Sequence, residues 1–218
     1  MSGDSVCYPL IFTIKELIMA STSKVSICNT ALTMIGADRI NSFDEDTSNA
    51  RACNAIYDQL RKEELISHPW NFATERVQLA QLSSTPAYGF NYEFSLPTDY
   101  LRIIAVQYDY AYRVEDFKLR SDQAPFRCEY IKDVEDVSEF SYAFIQLLTA
   151  RLALELCYPI SISASLTERM EARYLQKRKW ATSADSQEGT PRSIYDDSWT
   201  GARYSGLSGE RYDKNYGI

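Results

Sequence analysis

The sequence has a single histidine, His68, and this scarcity removes most of the side-chain chemistry on which enzymes rely. A Ser-His-Asp or Cys-His site would have to use His68 itself. That residue precedes a proline at a predicted helix end, where a cation mainly caps carbonyl groups. Zinc sites built on several histidines are excluded, and the five cysteines form no Cys-x-x-Cys pair that would substitute for them. We therefore predict no catalytic residues, no metal site and no cofactor.

Glycine and long apolar runs are also scarce. Five of the eight glycines lie after residue 185, and no Gly-rich phosphate-binding loop is present. The apolar run at residues 6–14 has about nine residues against the ~20 that a membrane span needs, and Asp4 stands where a secretion signal would be basic. We expect no membrane association. We describe residues 1–20 as a leader without an assigned role. We hypothesise that translation begins at Met19 and that residues 1–18 belong to an over-extended reading frame.

The charge balance points away from nucleic-acid binding. A net charge of −7 does not suit a free nucleic-acid binder, but it suits a surface that must not stick to DNA. The cysteines lie among apolar neighbours, which is typical of core residues in a reducing compartment. The adjacent Glu63 and Glu64 point about 100° apart on a helix, so they do not converge on one substrate as a catalytic pair.

Hydrophobic periodicity predicts four helices, at about residues 23–35, 48–67, 138–157 and 163–184. Ser23 is the expected N-cap and Gly36 the expected stop of the first helix. For the later helices we expect Ser138 as an N-cap, Pro159 just beyond a helix end, and a capping box of Ser165 and Glu168. In the second helix we expect Cys53, Ile56, Tyr57 and Leu60 to be buried, and Arg61, Lys62, Glu63 and Glu64 to face solvent.

Between the second and third helices the period changes from 3.6 to two. This pattern, over about residues 72–131, predicts a small antiparallel sheet or partial barrel inserted between helices. At its start, Pro69 should end the second helix at Ser67 or His68. Trp70 and Phe72 should then lie on one face of an extended segment. The fold class is therefore α+β, with Pro69, Trp70 and Phe72 as the structural anchor between helix and sheet.

Two segments of the chain are candidates for binding a partner. Lys177, Arg178 and Lys179 lie late in the fourth helix, where we expect an exposed face that is either merely solvated or contacts an acidic partner. After residue 185 the aliphatic core formers almost vanish, while large aromatic residues remain. Such a segment does not fold alone, and its aromatic residues suit ordering onto a partner's surface. We therefore predict an extended C-terminal docking tail at residues 186–218, with contacts at Tyr195, Trp199, Tyr204, Tyr212 and Tyr216.

Several motifs together carry a family resemblance. They are Ser67-His68-Pro69-Trp70-Asn71-Phe72-Ala73, Leu96-Pro97-Thr98-Asp99-Tyr100-Leu101-Arg102, Tyr130-Ile131, Leu152-Ala153-Leu154-Glu155-Leu156, and an Asp185-x-x-Glu188 exit from the last helix. In their order and spacing, over about residues 23–192, they resemble tail tubular protein A, the head-to-tail adaptor family of short-tailed bacteriophages.

The resemblance implies a structural protein of the virion neck that assembles in the host cytoplasm. In that family a homo-oligomeric ring, a dodecamer, lies between the portal protein and the nozzle made by tail tubular protein B. DNA passes through the ring without specific binding. Two alternatives remain open on the residues alone. One is a peptidoglycan hydrolase that uses a carboxylate pair. The other is a small nucleic-acid-binding or regulatory module that uses the basic cluster.

Overall fold

The structure, a computed structural model, describes residues 22–189. Four helices are present in this range: α1 (Lys24–Ile35), α2 (Ser48–Ser67), α3 (Tyr142–Ser161) and α4 (Ala164–Ser186). All the strands lie between α2 and α3. This arrangement confirms the predicted α+β class, with a helical core and an inserted antiparallel region. The predicted leader, and the predicted tail beyond residue 189, lie outside the described residues.

The first two helices begin and end at local signals. The Ser23 hydroxyl accepts the N–H of Ser26 at 3.1 Å, and Gly36, with φ of 77°, ends α1 as predicted. The Thr47 hydroxyl accepts the N–H of Ala50 and caps α2. The chain then leaves the helix at His68, the residue that precedes Pro69. Each boundary follows from a side chain or a φ preference within four residues.

The fourth helix lies close to its predicted range, but the predicted N-caps of the third and fourth helices and the predicted end of the third helix were wrong. Ser141 caps α3, because its hydroxyl accepts the N–H of Phe144, whereas Ser138 lies in a separate 3-10 turn. Pro159 lies inside the last turn of α3, where its missing N–H costs one hydrogen bond and the packed helix continues to Ser161. The cap of α4 is Ser163, which accepts the N–H of Leu166 and replaces the predicted box of Ser165 and Glu168.

Seven strands form two antiparallel sheets where we predicted one small sheet or partial barrel. The strands are β1 (Thr74–Gln78), β2 (Ala80–Gln81), β3 (Tyr92–Ser95), β4 (Tyr100–Val106), β5 (Tyr112–Glu115), β6 (Lys118–Ser121) and β7 (Arg127–Lys132). One sheet has the order β1-β7-β4 and the other the order β2-β3-β6-β5. A second small core contains residues of both sheets and is made by Leu79, Phe94, Leu119, Phe126 and Cys128.

The main core is built around α3, which packs against α1, α2 and α4. By length and composition α3 could cross a membrane, and half of that stretch is buried inside the protein. Burial by three neighbouring helices accounts for its apolar sequence. Cys28, Cys53, Cys128 and Cys157 are all buried free thiols, in agreement with the predicted core role of the cysteines.

The junction between α2 and the sheets centres on Trp70, which is fully buried. Its indole N–H donates to the Glu64 carbonyl at 2.8 Å, and its ring packs edge-on against Phe144, with ring centroids 5.2 Å apart. Phe72 also packs against Phe144, at 5.1 Å. The extended arrangement predicted for Trp70 and Phe72 is wrong, because Asn71–Ala73 forms a 3-10 turn and β1 starts only at Thr74. Both rings nevertheless reach the same partner.

Two residues of the predicted solvated face of α2 are buried. Arg61 is 1% exposed and Glu64 is 3% exposed. The Arg61 guanidinium bonds to the Asp133 carboxylate and the Val134 carbonyl, just after β7, and its Nε lies 3.4 Å from Asp58 Oδ1. Burial alone would raise the pKa of Asp133, but hydrogen bonds from Arg61 and Lys62 outweigh it and lower that pKa. Arg61 therefore ties the exit of the β region back to α2.

Candidate docking surface on the last helix

Helix α4 is in contact with the rest of the core along one narrow stripe. Met170, Tyr174, Ala181 and Asp185 are its buried residues, at the four- and seven-residue steps of a helix packed on one side. The remaining face of this 23-residue helix is largely open to solvent. Leu175 is 56% exposed and Trp180 is 45% exposed on that face. A long helix with so little of its surface covered offers a broad area for a partner.

The predicted basic cluster of Lys177, Arg178 and Lys179 divides into two parts. Lys177 is half-buried and donates to Gln146 Oε1 at 3.2 Å, and its Nζ lies 5.4 Å from the centroid of the Trp180 ring. The prediction that all three residues lie on an exposed face is therefore wrong for Lys177, which packs onto α3.

Arg178 and Lys179 are exposed, and neither forms an ion pair with any other residue in the described range. Residues three and four apart share one face of a helix, so Leu175 lies beside both cations. We call Leu175, Arg178 and Lys179 the basic patch. It combines an exposed apolar side chain with two uncompensated positive charges, which is the composition of a surface that binds an acidic partner.

Beneath this surface, α4 is held by a buried polar cluster that the sequence did not predict. The Tyr174 hydroxyl donates to Glu64 Oε1 at 2.8 Å, and burial together with this bond raises the pKa of Tyr174. The Arg151 guanidinium lies 5.3 Å from the centre of the Tyr174 ring and pairs with Glu155, one turn along α3, at 2.9 Å. The exposed Glu63 carboxylate lies 3.5 Å from the Arg151 guanidinium. Arg151 Nε also lies 3.9 Å from Glu64 Oε1, so one guanidinium pairs with both neighbouring carboxylates.

The C-terminal end of α4 is fastened to the junction by Asp185, which is 5% exposed. One carboxylate oxygen lies 3.1 Å from His68 Nε2, and the other accepts the backbone N–H of Asn71 at 3.1 Å. The Asn71 side-chain amide donates to the Asp185 carbonyl at 2.6 Å. We call this set of contacts the Asp185 clamp. It fixes the point at which the chain leaves the core, and it gives His68 a role that differs from the predicted capping of carbonyls.

Replacing Asp185 by alanine is expected to lower the free energy of unfolding by about 1–3 kcal/mol, because the Asn71 N–H loses its buried acceptor. Urea unfolding followed by tryptophan fluorescence measures this loss. The control is Glu188→Ala, which removes an exposed carboxylate one turn further along and should change stability by less than about 0.5 kcal/mol. Equal midpoints for the two variants would contradict the clamp.

A metal site or an acid–base site would need clustered titratable side chains within residues 22–189. No group of three or more His, Cys, Asp or Glu side chains in this range is placed to hold a metal ion. A shallow polar groove follows α1, and its lining residues are Ser26, Asn29, Thr30, Thr33, Met34 and Arg39. The Thr30 and Thr33 hydroxyls donate to carbonyls of the preceding turn, and the Asn29 amide pairs with the backbone of Ile40. The groove thus has no pair of titratable groups for acid–base chemistry.

The aromatic residues predicted to bind a partner lie outside the described residues. They are Tyr195, Trp199, Tyr204, Tyr212 and Tyr216. Comparison with models of known protein families finds no match for the chain, and comparison with curated protein sequences finds none either.

Proposed function

We propose that this chain is the head-to-tail connector of a short-tailed phage. In this role it forms a homo-oligomeric ring, a dodecamer by family resemblance, between the portal protein and the nozzle protein, tail tubular protein B. It belongs to the virion neck and assembles in the host cytoplasm. No catalytic group takes part, and DNA passes through the ring without specific binding.

The observation that carries the proposal is that motifs far apart in the sequence meet in the fold. His68 and Asn71 of the first motif bind Asp185 at the exit from the last helix. Asp99 of the second motif accepts the Tyr130 hydroxyl at 3.2 Å. The contact between His68 and Asp185 spans 117 positions, and the contact between Asp99 and Tyr130 spans 31. These contacts support a shared architecture with the adaptor family.

The charge of the chain supports the same role. With a net charge of −7, the protein surface on average repels the phosphate backbone, so DNA that passes through a ring of such chains is not retained. The exposed cations of the basic patch are confined to α4, where they serve protein contacts.

Removing all residues after Gly189 should leave a folded protein that no longer binds portal rings. The described core is built from residues 27–181, and the sequence after residue 189 has no periodic apolar face, so the core is expected to stay intact. The tail supplies aromatic contacts at every symmetry-related site of a ring, and linked contacts multiply in their effect on affinity. Co-sedimentation with portal rings of the same phage measures the loss, and far-UV circular dichroism checks the fold.

Full-length protein is the positive control in this experiment. Within the tail, Trp199→Ala is expected to weaken portal binding most, by about 2 kcal/mol per site, with Tyr204 and Tyr195 next, because Trp and Tyr dominate interface energies. Saturation of portal rings by the truncated protein would assign docking to the helical core. Failure of the full-length protein to bind portal rings would contradict the connector function itself.

A further inference from the structure

The loop between β5 and β6 holds an aromatic residue, Phe117, in a backbone conformation that aromatic residues rarely adopt. Glu115 pairs with Lys118, so the loop consists of Asp116 and Phe117, with φ angles of 52° and 53°. Two central residues with positive φ define a type I′ turn, whose second position strongly favours glycine. Phe117 occupies that position and is 86% exposed. A residue that is both strained and solvent-exposed indicates a contact made with another molecule.

The charge at this turn is not compensated within the described part of the chain. The cations nearby are engaged, because Arg113 and Arg120 pair with Glu115, and Lys118 lies 3.6 Å from Glu93. Asp116 is exposed and has no ion-pair partner within residues 22–189. The turn therefore presents a phenyl ring beside one free carboxylate. We call Asp116 and Phe117 the hairpin tip.

The basic patch on α4 has the complementary composition. Leu175 supplies exposed apolar surface, and the unpaired Arg178 and Lys179 flank it within one helical turn. In a single chain the hairpin tip and the basic patch both remain exposed, so they do not satisfy each other. Both surfaces stay available for contacts between chains.

We propose that the hairpin tip of one copy docks on the basic patch of a second copy. Phe117 then packs on Leu175, while Asp116 faces Arg178 and Lys179. The free carboxylate disfavours a nucleic-acid or anionic-membrane partner, because it would face phosphates. The two surfaces are different, so the contact is head-to-tail, and repetition builds either a closed ring or an open chain. This inference rests on the proposed function for the choice of a closed ring over an open chain. It identifies the neighbouring copy as the acidic partner that the basic patch binds.

A mixing experiment tests the contact directly. The tip variant carries Asp116→Asn and Phe117→Gly, and the patch variant carries Arg178→Glu and Lys179→Glu. Wild-type protein is expected to form particles larger than dimers in mass photometry at low salt, and to dissociate as salt is raised. Each variant alone should be monomeric. An equimolar mixture should form dimers and nothing larger, because each mixed pair contains one intact tip and one intact patch.

Two single variants separate docking from folding. Phe117→Gly relaxes the turn, so its thermal unfolding midpoint should not fall, while its self-association should weaken by at least about tenfold. Tyr88→Ser is the matched control, because Tyr88 is an equally exposed loop aromatic at 89%. That variant should assemble like wild type.

Several results would overturn the contact. They are a monomeric wild-type protein, tip and patch variants that assemble normally, a mixture that stays monomeric, and a Tyr88→Ser variant as defective as Phe117→Gly. Portal co-sedimentation distinguishes this failure from failure of the proposed function. If wild-type protein binds portal rings and the tip and patch variants assemble normally, the contact is overturned and the connector role is not. Wild-type protein that assembles through the tip but ignores portal rings overturns the connector role alone.

Discussion

Replacing Trp70 by alanine is expected to lower the free energy of unfolding by about 3–5 kcal/mol. The indole is fully buried and packs on Phe144 and Phe72, so its removal leaves a cavity where α2, α3 and the 3-10 turn meet. The variant also loses the hydrogen bond that the indole N–H donates to the Glu64 carbonyl. Urea or thermal unfolding of the purified protein, followed by circular dichroism, measures the loss.

The chain offers a matched control for this substitution. Trp180 is 45% exposed on α4, and its ring makes one cation–π contact, with Lys177. Trp180→Ala should therefore cost less than about 1 kcal/mol. If Trp70→Ala unfolds at the same denaturant concentration as Trp180→Ala, the junction does not contribute to stability as described.

Replacing Arg61 by methionine is expected to cost about 3 kcal/mol, the lower end of the range for breaking a buried ion pair. Methionine keeps the apolar stem and so isolates the guanidinium. Its loss leaves the Val134 carbonyl without its side-chain donor. Asp133 keeps Lys62 as a partner at 3.0 Å, which is why the upper end of the range is not reached. Denaturant unfolding at neutral pH measures this loss.

An exposed ion pair provides the comparison for Arg61. Arg51 pairs with Asp46 on the surface, where the two side chains are 64% and 97% exposed. Arg51→Met should change stability by no more than about 1 kcal/mol, because solvent screens such pairs. A loss for Arg61→Met as small as that for Arg51→Met would show that the link between α2 and the end of β7 is not a stabilising contact.

Side chains that act on nearby backbone groups were predictable from the sequence, and side chains with distant partners were not. Ser23, Gly36 and Pro69 act on backbone groups within a few residues of themselves, and each set a helix boundary as predicted. Arg61 and Glu64 looked like part of a solvated face because their partners, Asp133 and Tyr174, lie 72 and 110 positions away. A periodic pattern records how polar a side chain is, and it does not show which distant group satisfies it.

The same limit applied to the candidate surfaces. The position of Arg178 and Lys179 late in α4 was predictable from helical periodicity, but the packing of Lys177 on Gln146 depends on the α3–α4 contact. The hairpin tip was missed because Asp-Phe is not one of the residue pairs typical of a type I′ turn. The choice between Ser138 and Ser141 as a cap was also open locally, since both serines lie shortly before the apolar run of α3.

The β region begins and ends at neighbouring points of the helical core. Thr74, its first strand residue, pairs with Ile131 near its last, and paired residues on antiparallel strands lie only about 5 Å apart. An insertion whose two ends meet in this way can lengthen, shorten or exchange its outer strands without moving the helices that hold it. Related chains can therefore diverge in this region while the helical core, with Trp70 and Asp185, stays constant. Exchange of this segment would change the hairpin tip and preserve the framework.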